Sequence, residues 1–353
     1  MQTICVLFGG VSPEHDISLR SAEAVLNHMK SENRSILPIG ITKEGKWLLY
    51  GGSDYAEIAA NTWELHPKNR EAFLSPVRGM GLCIVQSDGT LKTVPVDVVF
   101  PVLHGENGED GTIQGLFEIA GIPYVGCGVL ASAASMDKSV TKLMAGTTGV
   151  RQADWLVLLR HAYQQDPKAM CAGILEKLSY PIFIKPCSTG SSVGVSKVKS
   201  EEQLQKALEC AFRYDEKVLA EEFIHGKEIE VAVLGNQNPI AATAGEIDAG
   251  AEFYDLETKY VTTTSRPYIP ARIDDSAMAS VREWAVKIYQ ALSCKGLSRV
   301  DFFVTYDTNE VVFNEINTLP GFTSISMYPK MFAADGVSFS DLIERVIALA
   351  LED

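Results

Sequence analysis

The segment from Arg299 to Gly321 can fold in few ways. Val300 to Val304 and Val311 to Ile316 are rich in β-branched and aromatic residues, and the polar Asp307-Thr308-Asn309 between them supplies a turn. The pattern predicts a β-hairpin. A turn centred on Thr308 sets Asp301 directly opposite Glu315. Side chains alternate faces along a strand, so Glu315 and Asn317 point the same way and three oxygen-bearing groups converge. Such a set suits a hard cation, because magnesium prefers oxygen ligands, keeps part of its water and bridges carboxylates to nucleotide phosphates. Arg299 adds a fixed positive charge beside it. The competing reading is an ordinary hairpin with solvated acidic side chains.

At 353 residues the chain exceeds what one hydrophobic core usually holds, so two or three domains are expected. The first third alternates strand and helix signals: Thr3 to Phe8, Ser18 to Met29, Ile36 to Ile41, Val96 to Leu103, then Gly115 to Ala120. That rhythm predicts a parallel sheet with helices on its faces. The polar stretch from about Gly51 to Gly81 reads as a surface insertion. Further units are expected over residues 130–220 and 221–353, after a first domain spanning 1–129.

The net charge of −14 comes with no run of lysine or arginine long enough for a nucleic-acid backbone or an anionic membrane. Nucleic acid and membrane are therefore excluded as expected partners. The longest apolar runs are too short to span a bilayer, and the start Met1-Gln2-Thr3-Ile4-Cys5 lacks a charged leader, which points to the cytoplasm. The seven cysteines are scattered without a CxxC pair, as expected of reduced core residues rather than a disulfide framework or a zinc site.

Four glycine-bearing loops follow strand signals. Ile182 to Lys185 runs into Pro186-Cys187-Ser188-Thr189-Gly190-Ser191-Ser192-Val193-Gly194 before a second strand at Val195 to Val198. Small residues there let successive backbone amides approach phosphate oxygens, so the loop reads as a flap over phosphates. It is not a Walker A motif, since no Gly-Lys-Ser/Thr ends it and no helix follows. Gly9-Gly10-Val11-Ser12-Pro13-Glu14 opens a helix after the first strand, the place where parallel sheets bind ligands. Glu14 suits an ammonium and the helix start an anion, together a zwitterion; Asp16 or Ser18 is expected to cap that helix. Gly126-Cys127-Gly128 is a weak dinucleotide signal, and His104 in His104-Gly105-Glu106-Asn107-Gly108 is a contact candidate rather than a base.

Taken in order, GGVSPEHDIS, HGENGEDGTIQG, SMDKSVTK, FIKPCSTGSSVG, EEFIHGKEIEVAVLG, FYDLETKY, PARI, SRVDFF and FNEINTLPGFTSISMYP resemble the D-alanine–D-alanine ligases of the ATP-grasp superfamily over nearly the whole chain. The resemblance implies an α/β ATP-grasp architecture: an N-terminal Rossmann-like parallel-sheet domain, a central flap-bearing domain and a C-terminal α+β domain. It implies ATP as cofactor, with Lys138 and Lys185 on the phosphates, Glu221 near the adenine, Glu228 on the ribose, and Ser192 and Lys259 also binding the cofactor. Asp301, Glu315 and Asn317 would hold two magnesium (or manganese) ions. Glu14, with Ser191 and Tyr260, would anchor the first D-alanine. Arg299 and the Gly321 amide would stabilise the oxyanion, and Ser326, beside Met327, would contact the second D-alanine. Lys259 and Tyr260 would belong to a lid over residues 248–265, and a homodimer is implied.

The chain departs from the family pattern in two places, at Asp16 and in the flap residues Cys187-Ser188-Thr189. The rival readings are a ligase joining D-alanine to D-serine or D-lactate, a catalytically silent nucleotide-binding protein, and a dehydrogenase built on the first glycine loops.

Overall fold

The strands Gln2–Gly9 and Arg34–Ile41 pair in parallel, and Val98–Pro101 pairs in parallel on the other side of the first. A parallel return needs a crossover, supplied here by the helix His15–His28. Ile4 to Phe8 is buried throughout, as suits a central strand covered on both faces. The coordinates are a computed structural model, which describes residues 1–190, 192–248 and 266–352.

The stretch expected as a surface insertion is instead part of the scaffold. Trp47–Leu49, Arg70–Leu74, Leu82–Val85 and Leu91–Val94 extend the parallel core antiparallel, giving a seven-stranded sheet among the described residues. Trp63, fully buried, pins the stretch down by packing edge-on to Phe8 with ring centroids 5.1 Å apart. Gly40 makes room for it, since a Cβ there would lie 2.3 Å from the indole ring. The first helix is not capped as expected either. Ser18 Oγ accepts from Gly9 N at 2.8 Å and donates to Val102 O, which fastens two strand ends together. Asp16 pairs with Lys43 at the surface.

A second, antiparallel sheet orders Ser196–Val198, Ile182–Pro186, Lys217–Glu222 and Trp155–Leu159. Its core gathers Ile182, Ile184, Val218 and, from the helix Glu201–Tyr214, Leu204, Leu208 and Phe212. The flap is the connection between the first two of these strands. Gly194 is required there: φ is +72°, and a Cβ would meet Pro186 and Tyr214 at 2.8 Å.

In the third sheet Gly226–Leu234 pairs with Leu297–Thr305 on one side and Gly245–Asp248 on the other, and Val311–Asn317 follows Leu297–Thr305. Alternation along the central strand splits its side chains. Val231 and Val233 pack with Val281 and Ala285 of the helix Asp275–Ala291, whereas Ala232 and Leu234 join Met331, Ile343 and Ile347. That second core is continuous with Ile4, Val6 and Phe8 of the first sheet. The helix Phe339–Ala350 therefore seals both, and Lys30–Asp341 at 3.0 Å and Arg34–Glu344 at 2.6 Å tie its outer face to the first unit.

The cysteines are all free, and burial pushes the Cys187 thiol up to about 12, so it is protonated and inert.

Candidate active site

The hairpin pairs Arg299 with Asn317 and Asp301 with Glu315, the register expected, but by a different route. Nearer the turn, Val304, Phe303 and Phe302 face Val311, Val312 and Phe313, a count that would set Asp301 against Asn314. A bulge between Asp301 and Phe302 takes up Asn314 as an extra residue and restores the pairing to Glu315. Without it Glu315 and Asn317 would turn to the opposite face.

Arg299 and Asp301, two apart on one strand, share a face and close a fork: Nε donates to Oδ1 at 2.7 Å and Nη2 to Oδ2 at 2.6 Å. Glu230, opposite Asp301 on the neighbouring strand, brings Oε1 to 3.5 Å from Arg299 Nε. Sequence reading missed Glu230, although its spacing of two from Glu228 places both on one strand face. Burial pushes its carboxyl up to about 7, Arg299 opposing and Asp301, Glu228 and Glu315 adding to the rise.

The helix Lys138–Gly146 starts with a lysine, unfavourable against the positive helix end, and Asp137 compensates by capping Ser139 N at 2.9 Å and Val140 N at 3.2 Å. Lys138 reaches across to the flap, donating from Nζ to Thr189 O at 2.7 Å and from its backbone to Cys187 O at 2.9 Å. Lys185 Nζ pairs with Glu221 Oε2 at 2.5 Å, and the buried Lys142, one helical turn past Lys138, pairs with the same carboxylate. Burial alone would raise Glu221, but the two ammonium groups outweigh it and hold the carboxyl at about 2.

Two chambers meet in this region. One, of about 300 Å³, is lined by Glu14, His104, Lys138, Arg299, Glu315, Asn317 and Gly321 among others. The second, of about 180 Å³, lies toward the central sheet and is lined by Phe183, Lys185, Glu228, Glu230 and Asp301. Lys138, Thr189, Gly190, Ser192, Arg299, Asn314 and Glu315 wall both. A larger cavity of about 490 Å³ lies elsewhere, beside Tyr124, Gly128 and Lys295, and holds none of the expected site residues. The converging charges mark the paired chambers, not that larger space, as the candidate reactive site.

Of the expected residues, Glu221 lies behind Lys185 rather than on a chamber wall. Ser326 Oγ bonds the Thr323 hydroxyl at 2.7 Å and accepts from Thr323 N at 3.2 Å, beside Gly321. Glu14 stands at the start of the first helix without capping it, close to Gly105 and Gly190. His104 Nδ1 lies 3.2 Å from Leu319 O and 3.4 Å from Glu109 Oε1, linking the first unit to the turn that carries Gly321. Ser191, Lys259 and Tyr260 lie outside the described residues.

The donor set fits a magnesium-type ion in part. Among the described residues no group of three or more His, Cys, Asp or Glu gathers as a complete metal cage. Asp301, Glu315 and the Asn317 amide would leave the remaining positions to water and phosphate oxygens, as that ion prefers.

Two family descriptions match the chain, "D-ala D-ala ligase N-terminus" over residues 3–127 and "D-ala D-ala ligase C-terminus" over 144–348. A curated D-alanine–D-alanine ligase of Acetivibrio thermocellus is 47% identical, covering 99% of this chain and 96% of the relative. Among solved structures, the VanG D-Ala:D-Ser ligase of Enterococcus faecalis superposes with TM-score 0.91 at 42% identity, covering 99% of each chain. The D-alanine–D-alanine ligase of Coxiella burnetii does so with TM-score 0.85 at 33% identity, over 99% of this chain and 94% of that one. The fold is the α/β ATP-grasp architecture. With family matches over most of its length and relatives this similar, the chain belongs to the D-alanine–D-alanine ligase family.

Proposed function

We propose that the chain joins two D-alanine molecules at the expense of ATP, through a D-alanyl phosphate, to supply a peptidoglycan precursor. The observation that carries this reading is the pair of chambers meeting at Lys138, Arg299, Glu315 and the flap. A nucleotide held against Phe183, Lys185 and Glu228 would present its terminal phosphate at that junction, with the first D-alanine on the side of Glu14. Glu14 is the counter-ion for that substrate's ammonium. Lys138 and Lys185 carry the charge that phosphates require, Glu221 backs Lys185 from behind the chamber wall, and Ser192, Glu228 and Lys259 complete the nucleotide contacts.

Asp301, Glu315 and Asn317 would hold two magnesium or manganese ions, which when bound neutralise the phosphates of ATP. Arg299 is fixed by Asp301 and so points a preorganised charge at the oxyanion that forms when the second amine attacks the acyl carbon. The Gly321 amide supports the same oxygen, and Ser326 faces the second carboxylate. Ser191 and Tyr260 assist Glu14. Residues 1–129, 130–220 and 221–353 act as the three domains, and a cytoplasmic homodimer is the proposed assembly. Among the described residues no helix is long and apolar enough to cross a membrane.

A D-alanine–D-serine ligase is the second reading, favoured by the E. faecalis relative of that printed activity. Met327, packed against Gly245 next to Ser326, favours D-alanine, because it offers no hydrogen bond to a serine hydroxyl. The test is ADP release by the purified chain with ATP and magnesium, given D-alanine alone and then with D-serine or D-lactate, with the product identified by mass. Turnover on D-alanine alone with the dipeptide as product supports the first reading. Turnover only with a mixed pair moves the chain to the second, and none refutes both.

A further inference from the structure

Lys142 is 2% exposed, lines neither chamber, and its ammonium pairs with Glu221 without another hydrogen-bond partner among the described residues. Burying such a charge is expensive, so it persists only for a compensating reason. Glu221, 3% exposed, is bracketed: Lys142 behind it on the helix Lys138–Gly146, Lys185 in front on the strand Ile182–Pro186. Only Lys185 reaches a chamber wall. The three groups carry two positive charges against one negative, and the surplus faces the chamber.

We propose that Lys142 is a positioning residue for nucleotide binding: it holds the charge of Glu221 and thereby releases Lys185 to donate to a phosphate. The proposal rests on the nucleotide-binding part of the function proposed above. A buried carboxylate must be paired. With Lys142 absent, Lys185 becomes the one ammonium left on Glu221, and phosphate then has to compete with an ion pair at 2.5 Å. With Lys142 present, Glu221 stays compensated while Lys185 turns to the ligand. The arrangement thus sets how much of Lys185 is available to an anion without Lys142 touching that anion.

The discriminating measurement is calorimetric titration of the full chain with ATP and, separately, with adenosine, which has no phosphate. In Lys142→Met, ATP affinity is expected to fall about tenfold or more, equivalent to about 1.4 kcal/mol, while adenosine affinity changes less than about threefold. Lys142→Arg, which keeps the charge, is expected to retain the ATP-to-adenosine ratio. A general distortion of the pocket would weaken both ligands alike, and that result, or unchanged ATP binding, overturns the proposal. Should Lys142→Met fail to fold, the double variant Lys142→Met/Glu221→Gln removes both charges together. It is expected to return the ratio to that of the unaltered chain, and a ratio that stays low refutes the role. An unaltered chain that binds neither ligand overturns the nucleotide reading and this proposal with it.

Discussion

Replacing Asp301 by asparagine separates its ion pair with Arg299 from the metal-binding role proposed for it. Both of its oxygens receive bonds from Arg299, at 2.7 and 2.6 Å, and the side chains are only 11% and 21% exposed. Removing one partner of a buried pair costs about 3–5 kcal/mol. Two features place this case at the low end, about 3 kcal/mol: the asparagine keeps one acceptor, and Glu230 stands 3.5 Å from Arg299 Nε as a second carboxyl, whose ionisation loss of the Asp301 charge favours. On the metal role proposed for Asp301, turnover is expected to fall by about a thousandfold, since a metal-ion contribution of several kcal/mol would be lost and each 1.36 kcal/mol is tenfold. Glu315→Gln is the companion. It faces Asp301 but makes neither bond of the Arg299 fork, so a comparable loss of turnover should come with less than about 1 kcal/mol of destabilisation. Urea unfolding in metal-free buffer and ADP release on both variants provide the readouts. An Asp301→Asn protein as stable as the unaltered chain, or one that is destabilised yet turns over normally, would refute the reasoning.

Gly40→Ala places a methyl 2.3 Å from the Trp63 ring and 2.8 Å from Phe8. Overpacking of this kind should cost about 2 kcal/mol, seen as a lower thermal midpoint with an unchanged KM for ATP. The depressed carboxyl of Glu221 makes its stabilisation complete above its ordinary value near 4.5 and lost as pH falls toward about 2. That interval is worth about 3 kcal/mol at 1.36 kcal/mol per pKa unit. The urea midpoint should therefore drop between pH 5 and 2, and a Glu221→Gln chain that keeps the same slope would show that other groups govern it.

The pairing of Asp301 with Glu315 was readable because β-branched runs flank a polar turn, and alternation does the rest. The bulge at Asn314 was not, since no glycine marks it and its cause lies in how three strands fit together. Likewise, Arg70–Leu74 and Leu91–Val94 are too polar to announce themselves as strands, and only the burial of Trp63 shows why that stretch is held to the sheet. Lys142 and Glu230 carried signals that went unused, one helical turn from Lys138 and two strand positions from Glu228. Spacing placed them on the site's side of their elements, but only the fold shows which charge each one meets. The capping of the first helix failed as an expectation because Ser18 found stronger use between two strand ends.

The core shared by Ile4, Val6 and Phe8 with Ile343 and Ile347 has a bearing on how the chain comes to be folded. During synthesis the first sheet emerges early, yet one of its faces has no complete cover until the helix Phe339–Ala350 has been made. Contacts so distant along the chain form late and slowly, because a long loop must close before they repay the loss of entropy. The strand that leads into the Glu14 loop is thus steadied by a helix translated long after it, so the parts of the chain that wall the paired chambers mature together.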